Sequence, residues 1–229
     1  LITAIMCWFD EPVELLERCV GSLAGVADHF VALDGRWEGF PGDLVNSSPA
    51  EAAAIARASR AAGVAGTVVH PGFVWSSQVA KRTTAIDLAP TATDWLLIVD
   101  ADEYVLDVDR QALDEILADT PRDVAELELT NFASRFPLDR MRSNVYRVRR
   151  LFRAAAKPRY ELAHNGVRNA AGAWLSGDRG YVELADAVDA TAGISLGHAI
   201  DARPVDRQRR RADYYRARNA ARTEDWAAA

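Results

Sequence analysis

Cysteine is nearly absent: Cys7 and Cys19 are the only two in 229 residues. A disulfide-stapled miniprotein is excluded, and so are the paired C-x-x-C spacings of a structural zinc site. Two thiols flanked by apolar residues read as reduced core side chains, which fits a reducing compartment and a cytoplasmic protein. Lysine is as scarce, at Lys81 and Lys157 only, so nearly all 27 basic residues are arginine. Against them stand 33 acids, a net charge of −6. A general nucleic-acid binder neutralises phosphates with a surplus of cations, and this chain has none. No apolar run approaches the length of a membrane-spanning helix. The dinucleotide, P-loop and nucleophile-elbow patterns (G-x-G-x-x-G after the first strand, G-x-x-x-x-G-K-[ST], G-x-S-x-G) are all missing.

What remains is 49% hydrophobic and 26% charged, the balance of an ordinary globule long enough to bury a core. Ile2 to Met6 predicts a buried strand. Asp10 reads as an N-cap with Pro12 just inside the helix, and Leu15, Leu16, Cys19, Val20 and Leu23 give that helix one apolar face. Phe30 to Leu33 is a second strand, ending at Asp34-Gly35. Ser48-Pro49 with Glu51 starts an Ala-rich helix that stops at Gly63. Thr67 to His70 is a third strand, followed by a helix from about Ser77 to Leu88. Trp95 to Val99 is a fourth, ending at Asp100-Ala101-Asp102-Glu103, and a helix follows from Asp109 to Leu117. Four strand–helix alternations predict an open, mostly parallel α/β sheet, with ligands beyond the carboxyl ends of its strands.

The second half is less regular. Ala125, Leu127 and Leu129 alternate with Glu126, Glu128 and Thr130, the pattern of a half-exposed strand. Val145 to Arg153 is β-like and studded with arginine. Short strands are expected near Arg159–Ala163, Tyr181–Leu184 and Ile194–Leu196. Pro204 to Arg222 reads as a polar helix. From Arg203 to Arg222 it carries eight arginines against two aspartates, the composition of a solvated face. One domain is expected, with a nucleotide-binding half over 1–120, an acceptor-side half over 121–200 and a helical extension over 201–229.

Four constellations carry chemistry. Asp100 and Asp102 on a turn after WLLIV suit one hard cation, Mg²⁺ or Mn²⁺, which would hold a diphosphate. Asp107-Val108-Asp109 has the same spacing but follows no buried strand and reads as helix capping. Asp34, before Gly35, sits where an acid can accept hydrogen bonds from a ribose or a base. Gln78, Lys81 and Arg82 open a helix, a position that favours anions. His198, with Gly193 and Gly197 flanking its strand to allow a sharp backbone turn, could complete a metal site begun by Asp102. His164 stands in a similar polar context.

In this order the pieces resemble the GT-A glycosyltransferases, in particular family 2 and its branch of lipopolysaccharide-core and phage-encoded enzymes. Asp94-Trp-Leu-Leu-Ile-Val-Asp100-Ala-Asp102-Glu103 is similar to that branch's acid motif. Leu151-Phe152-Arg153, Tyr160, His164 and the late His198 resemble its downstream pattern, over roughly residues 1–200. The resemblance implies a Rossmann-like GT-A fold and transfer of a sugar, with inversion, from a nucleotide diphosphate sugar, a UDP-sugar being favoured. It implies Trp8, Glu11, Asp34, Gly35, Gln78, Lys81, Arg82 and Asp100 around the donor, and Mn²⁺ or Mg²⁺ on Asp100, Asp102 and His198. Glu161, or else Asp178, would be the base on an acceptor hydroxyl carried by a glycan, a protein or a modified nucleic acid. Two features depart from the pattern: the loop after Gly35 lacks the usual Ser/Thr-Asp, and Asn165 stands where Glu commonly follows the histidine. A nucleotidyltransferase of similar fold and a non-catalytic nucleotide- or glycan-binding module are the alternatives.

Overall fold

The structure, a computed structural model, describes residues 1–132, 145–162, 166–177, 182–199 and 202–227, and within them all side chains except those of 162 and 218–227. The first half alternates as its apolar runs require. The elements are β1 (Ile2–Cys7), α1 (Val13–Gly21), β2 (His29–Leu33), α2 (Pro49–Ala62), β3 (Ala65–Val69), α3 (Gln78–Asp87) and β4 (Trp95–Asp100). These four strands pair in parallel in the order β3-β2-β1-β4. β1 and β4 are apolar almost throughout because helices or a second sheet cover both of their faces. On one face Leu16, Ile55 and Leu113 pack together. On the other lie Ile86, Tyr160 and Val167. Each fully buried side chain of this kind contributes about 1.5–3 kcal/mol relative to exposure.

Local chemistry sets the helix ends. Ser48 and Glu51 form the reciprocal capping box of α2, and Gly63 ends that helix in the left-handed region at φ 69°. Ser77 caps α3 by accepting from the Ala80 N–H at 3.0 Å. Asp10 is not the N-cap expected of it. Helix α1 starts after Pro12, and Asp10 sits at φ 52°, its N–H donating to Ser47 Oγ at 2.8 Å.

The sheet is mixed, not mostly parallel. Beyond β4 it continues through β7 (Val145–Arg153), β6 (Val124–Phe132), β12 (Ile194–Ala199) and β5 (Glu103–Val108). The contacts β4–β7, β7–β6 and β12–β5 are antiparallel. Strand β5 was not expected; it leaves the acid turn directly and leads to α4 (Arg110–Asp119), capped by Asp109. A short β11 (Val188–Asp189) also pairs with β6. A separate three-stranded sheet joins β8 (Arg159–Leu162), β9 (Gly166–Arg168) and β10 (Trp174–Ser176). The strand expected at 181–184 is reduced to isolated bridge residues, Val182 and Leu184, the latter paired with Trp174, with Tyr181 outside the described residues.

Gly193 and Gly197 serve close approach rather than a sharp turn. Neither has a positive φ. A Cβ on Gly197 would lie 2.5 Å from the Tyr104 ring, and one on Gly193 would lie 2.7 Å from the Leu113 backbone. Helix α5 (Val205–Ala227) closes the chain. No helix among the described residues is long and apolar enough to cross a membrane.

Candidate functional site

β1 has β2 on one side and β4 on the other, so the chain reverses its direction of winding between β1 and β4. A crevice at the carboxyl ends of such a pair is the usual ligand site of an open α/β sheet. Cys7 and Asp100 face each other across it in register. The cleft there is lined by residues of β1's exit, the loop after β2, the start of α3 and the start of α5.

The acids of the turn after β4 are held by arginines brought from three directions. Asp100 accepts from Arg82 at 2.6 Å and from Arg150 at 3.1 Å. Arg150 also pairs with Glu103, whose other oxygen accepts the Asp100 N–H at 2.9 Å. A break in the β6–β7 ladder aims Arg150 there: Ala125 faces Leu151 and Glu126 faces Arg149, so Arg150 is skipped. An extra residue of this kind re-aims a side chain. Arg82 is fixed in turn by Tyr160, whose hydroxyl accepts from it at 3.2 Å.

Asp102 is buried rather than displayed on an open turn. His198 Nε2 lies 3.1 Å from its Oδ2, and Arg203 contacts the same oxygen. Burial opposes ionisation of Asp102. The His198 hydrogen bond and the Arg203 charge outweigh that cost and bring the carboxyl down to about 2. The other nitrogen of His198, Nδ1, is 2.9 Å from Asn131 Oδ1. Both ring nitrogens therefore face acceptors, the arrangement of an imidazolium. Burial disfavours that charge, but the bond to Asp102 and its charge raise the His198 pKa.

Arg203 also forks onto Glu11, with Nε on Oε2 at 2.7 Å and NH2 on Oε1 at 2.9 Å. Arg207 reaches the same Glu11 oxygen at 2.7 Å and the Phe9 carbonyl at 2.6 Å. Arg203, just before α5, and Arg207, in its first turn, are thus buried in the site, while Asp206, Arg209 and Arg210 keep the opposite side of the helix exposed. Farther along α5, the Tyr214 hydroxyl accepts from Trp37 Nε1 at 3.0 Å, and Phe40 packs on both rings.

Asp34 is fully buried and does not reach the cleft. Its carboxylate accepts the Ser47 N–H at 2.8 Å and the Ser47 hydroxyl at 2.6 Å, and it holds His70 Nδ1 at 2.9 Å. Through Ser47 it closes the loop from 35 to 47. Gly35 stands at φ 109° beneath Trp75, where a Cβ would come within 2.9 Å of the indole nitrogen. Lys81 is also buried and ties the two loops, donating to the Trp8 and Gly35 carbonyls at 2.6 Å each. Burial lowers its pKa to about 8.

Of the residues expected around a donor, Trp8, Glu11, Gln78, Lys81, Arg82 and Asp100 line the cleft, together with Arg203, Arg207 and Arg211 from the C-terminal segment. Asp34 and Gly35 support it from behind. Glu161 is not brought to it: its side chain is 46% exposed and pairs with Arg168 at 3.3 Å. Asp178, His164 and Asn165 lie outside the described residues. The metal set does not fit as arranged. Asp100 is taken by two arginines, Asp102 by Arg203, and His198 presents no lone pair. Among the described residues no group of three or more His, Cys, Asp or Glu side chains is disposed to hold a metal ion.

No family model matches the chain, and no curated protein matches it. Solved structures similar to part of it include S. aureus TarS 1-349, at 15% identity and a TM-score of 0.40, covering 59% of this chain and 37% of that one. The same protein in complex with UDP-GlcNAc matches at 15% identity and a TM-score of 0.40, over 59% and 36% of the two chains. Its complex with UDP gives 15%, 0.39, 59% and 37%. The overlap spans little more than a third of those chains.

Proposed function

We propose that the protein is a glycosyltransferase that binds a nucleotide diphosphate sugar, a UDP-sugar, in the cleft between the ends of β1 and β4. The observation that carries this reading is the charge of the lining. Five cations (Lys81, Arg82, Arg203, Arg207 and Arg211) face it against two acids, Glu11 and Asp100. A cation-rich crevice at a sheet's switch point suits a diphosphate, and the half-buried Trp37 in its lining offers flat surface for a base. The resemblance of the acid motif selects sugar transfer over the other uses of such a site.

In the reaction an acceptor hydroxyl oxygen attacks the anomeric carbon. The bond from that carbon to the β-phosphate oxygen breaks, and UDP leaves with the electron pair. The cleft's guanidinium and ammonium groups stabilise the charge that develops on the diphosphate. A second hollow, about 220 Å³, lies behind Arg150 and Tyr160 and suits the acceptor. Asp178, the second base that the sequence offers, takes the hydroxyl proton in this reading in place of Glu161. The donor cleft itself has an interior of about 50 Å³, room for a few waters. A nucleotide therefore enters with movement of the α5 rim at Arg211 and Tyr215.

A thermal-shift panel of nucleotide sugars tests the reading. UDP-sugars should raise the melting temperature and GDP-sugars should not. No shift with any nucleotide diphosphate would refute it.

A further inference from the structure

The seat that the acid motif would give a divalent cation is filled from within the chain. Glu11 enters from the segment after β1, Asp102 from the turn after β4, and the Arg203 guanidinium lies between them. Its Nε and NH2 fork onto the two Glu11 oxygens, and NH1 meets Asp102 Oδ2. The side chain is 6% exposed, so this is an interior ion cluster and not a surface pairing. His198, the third expected ligand, closes the far side of Asp102 with both its nitrogens engaged.

Charge bookkeeping agrees. Asp10, Glu11, Asp100, Asp102 and Glu103 carry five negative charges, and Arg82, Arg150, Arg203, Arg207 and the His198 imidazolium contact them with five positive ones. A divalent ion added here would put two further positive charges into a buried, balanced cluster. It would have to displace a guanidinium, and a guanidinium cannot shed its charge to leave.

The cluster still has donors to spend. Three of the five N–H donors of Arg203 are used by the contacts above, and Arg203 borders the cleft. Arg82 and Arg207 border it too, and the Nε of each is buried with no hydrogen-bond partner. The Trp8 indole N–H, at the same cleft, is buried and unpartnered as well, and three unsatisfied donors around one cleft mark a place where an acceptor is missing.

We infer that Arg203, anchored on Glu11 and Asp102, takes the place of the divalent cation, and that with Arg82 and Arg207 it binds the diphosphate of the nucleotide without metal. A planar fork suits phosphate oxygens as well as carboxylates, so one guanidinium can bridge the acids to the ligand as a metal ion would. This inference rests on the proposed function, because it needs a nucleotide in this cleft.

The test is calorimetric titration of UDP into the full chain, once in EDTA and once in Mn²⁺. The expected result is binding in EDTA with a dissociation constant within about threefold of that in Mn²⁺. Electron paramagnetic resonance of added Mn²⁺ should show the free-ion signal undiminished by the protein alone. Arg203→Ala should weaken UDP binding in EDTA at least tenfold, and Mn²⁺ should restore part of the loss, since Asp102 is then uncovered. UDP binding by the unaltered chain that needs Mn²⁺ and vanishes in EDTA would overturn the inference and leave the transferase reading standing. Failure of UDP and GDP to bind in either buffer would remove the transferase reading and this inference together. Should Arg203→Ala not fold, the two wild-type titrations still decide.

Discussion

Asp102→Asn isolates the charge of the buried cluster with almost no change of shape. In the native protein the Asp102 carboxyl is brought from an ordinary 3.8 down to about 2. Each unit is worth about 1.4 kcal/mol, so the ionised form stabilises the fold by roughly 2 kcal/mol. The group is 3% exposed, so solvent screening takes little from that figure. The sign follows from the direction of the shift. The unfolded chain binds the proton more readily, so the stabilisation is fully present above about pH 4 and fades as pH falls through 2. Urea unfolding followed by circular dichroism should therefore show the variant about 2 kcal/mol less stable than wild type at pH 7, and about 1 kcal/mol less near pH 3. At neutral pH the melting temperature should fall by about 4–8 °C for a chain of this size. A gap that stays constant between pH 7 and pH 3 would trace the loss to packing instead of charge. No gap at all would mean that Arg203 and His198 do not hold Asp102.

Gly197→Ala should cost about 1–3 kcal/mol by overpacking against Tyr104, read as a lower urea midpoint; an unchanged midpoint would show that the ring can yield. Ser77→Ala removes the α3 cap and should cost about 1 kcal/mol in the same assay. Asp107→Ala, at the second Asp-x-Asp, should change stability by no more than about 0.5 kcal/mol and leave UDP binding alone, because that carboxylate contacts only the neighbouring Val108 N–H among the described residues. The His198 ring should titrate above 6.5 by NMR. Its raised pKa stabilises the fold below the ordinary histidine value, and that contribution should disappear as pH rises through the shifted one.

The parallel half of the sheet was legible because each of its strands is an apolar run between capping residues. Ser48 with Glu51, Ser77, Asp109 and Gly63 mark their helix ends in the sequence as they do in space. β5 was not legible: only Glu103 and Tyr104 of its six residues are buried, so it shows no period of two. The antiparallel partners of β4 come from more than fifty residues later, a distance over which a local pattern carries no pairing information. In the site, Asp100, Lys81 and Arg82 stand where the motif reading put them, at the ends of β4 and the start of α3. The partners of Asp34 were not legible, because an acid at a strand end looks the same whether it meets a ligand or closes a loop, and Ser47 stands thirteen residues away. Arg203 and Arg207 were hidden by their company. Eight arginines in one stretch read as a wet surface, although 203, 207, 211 and 214 fall on one face of a helix at spacings of three and four. Arg150 depends on a ladder skip that no single sequence reveals.

The central claim is that a nucleotide diphosphate occupies the cleft between β1 and β4. Photolabelling with 5-azido-UDP, followed by peptide mass spectrometry, tests it most directly. The label should attach to peptides containing Trp8–Glu11, Trp37–Phe40 or Gln78–Arg82, and excess UDP should suppress it. Labelling confined to other peptides, or labelling that UDP does not displace, would contradict the account.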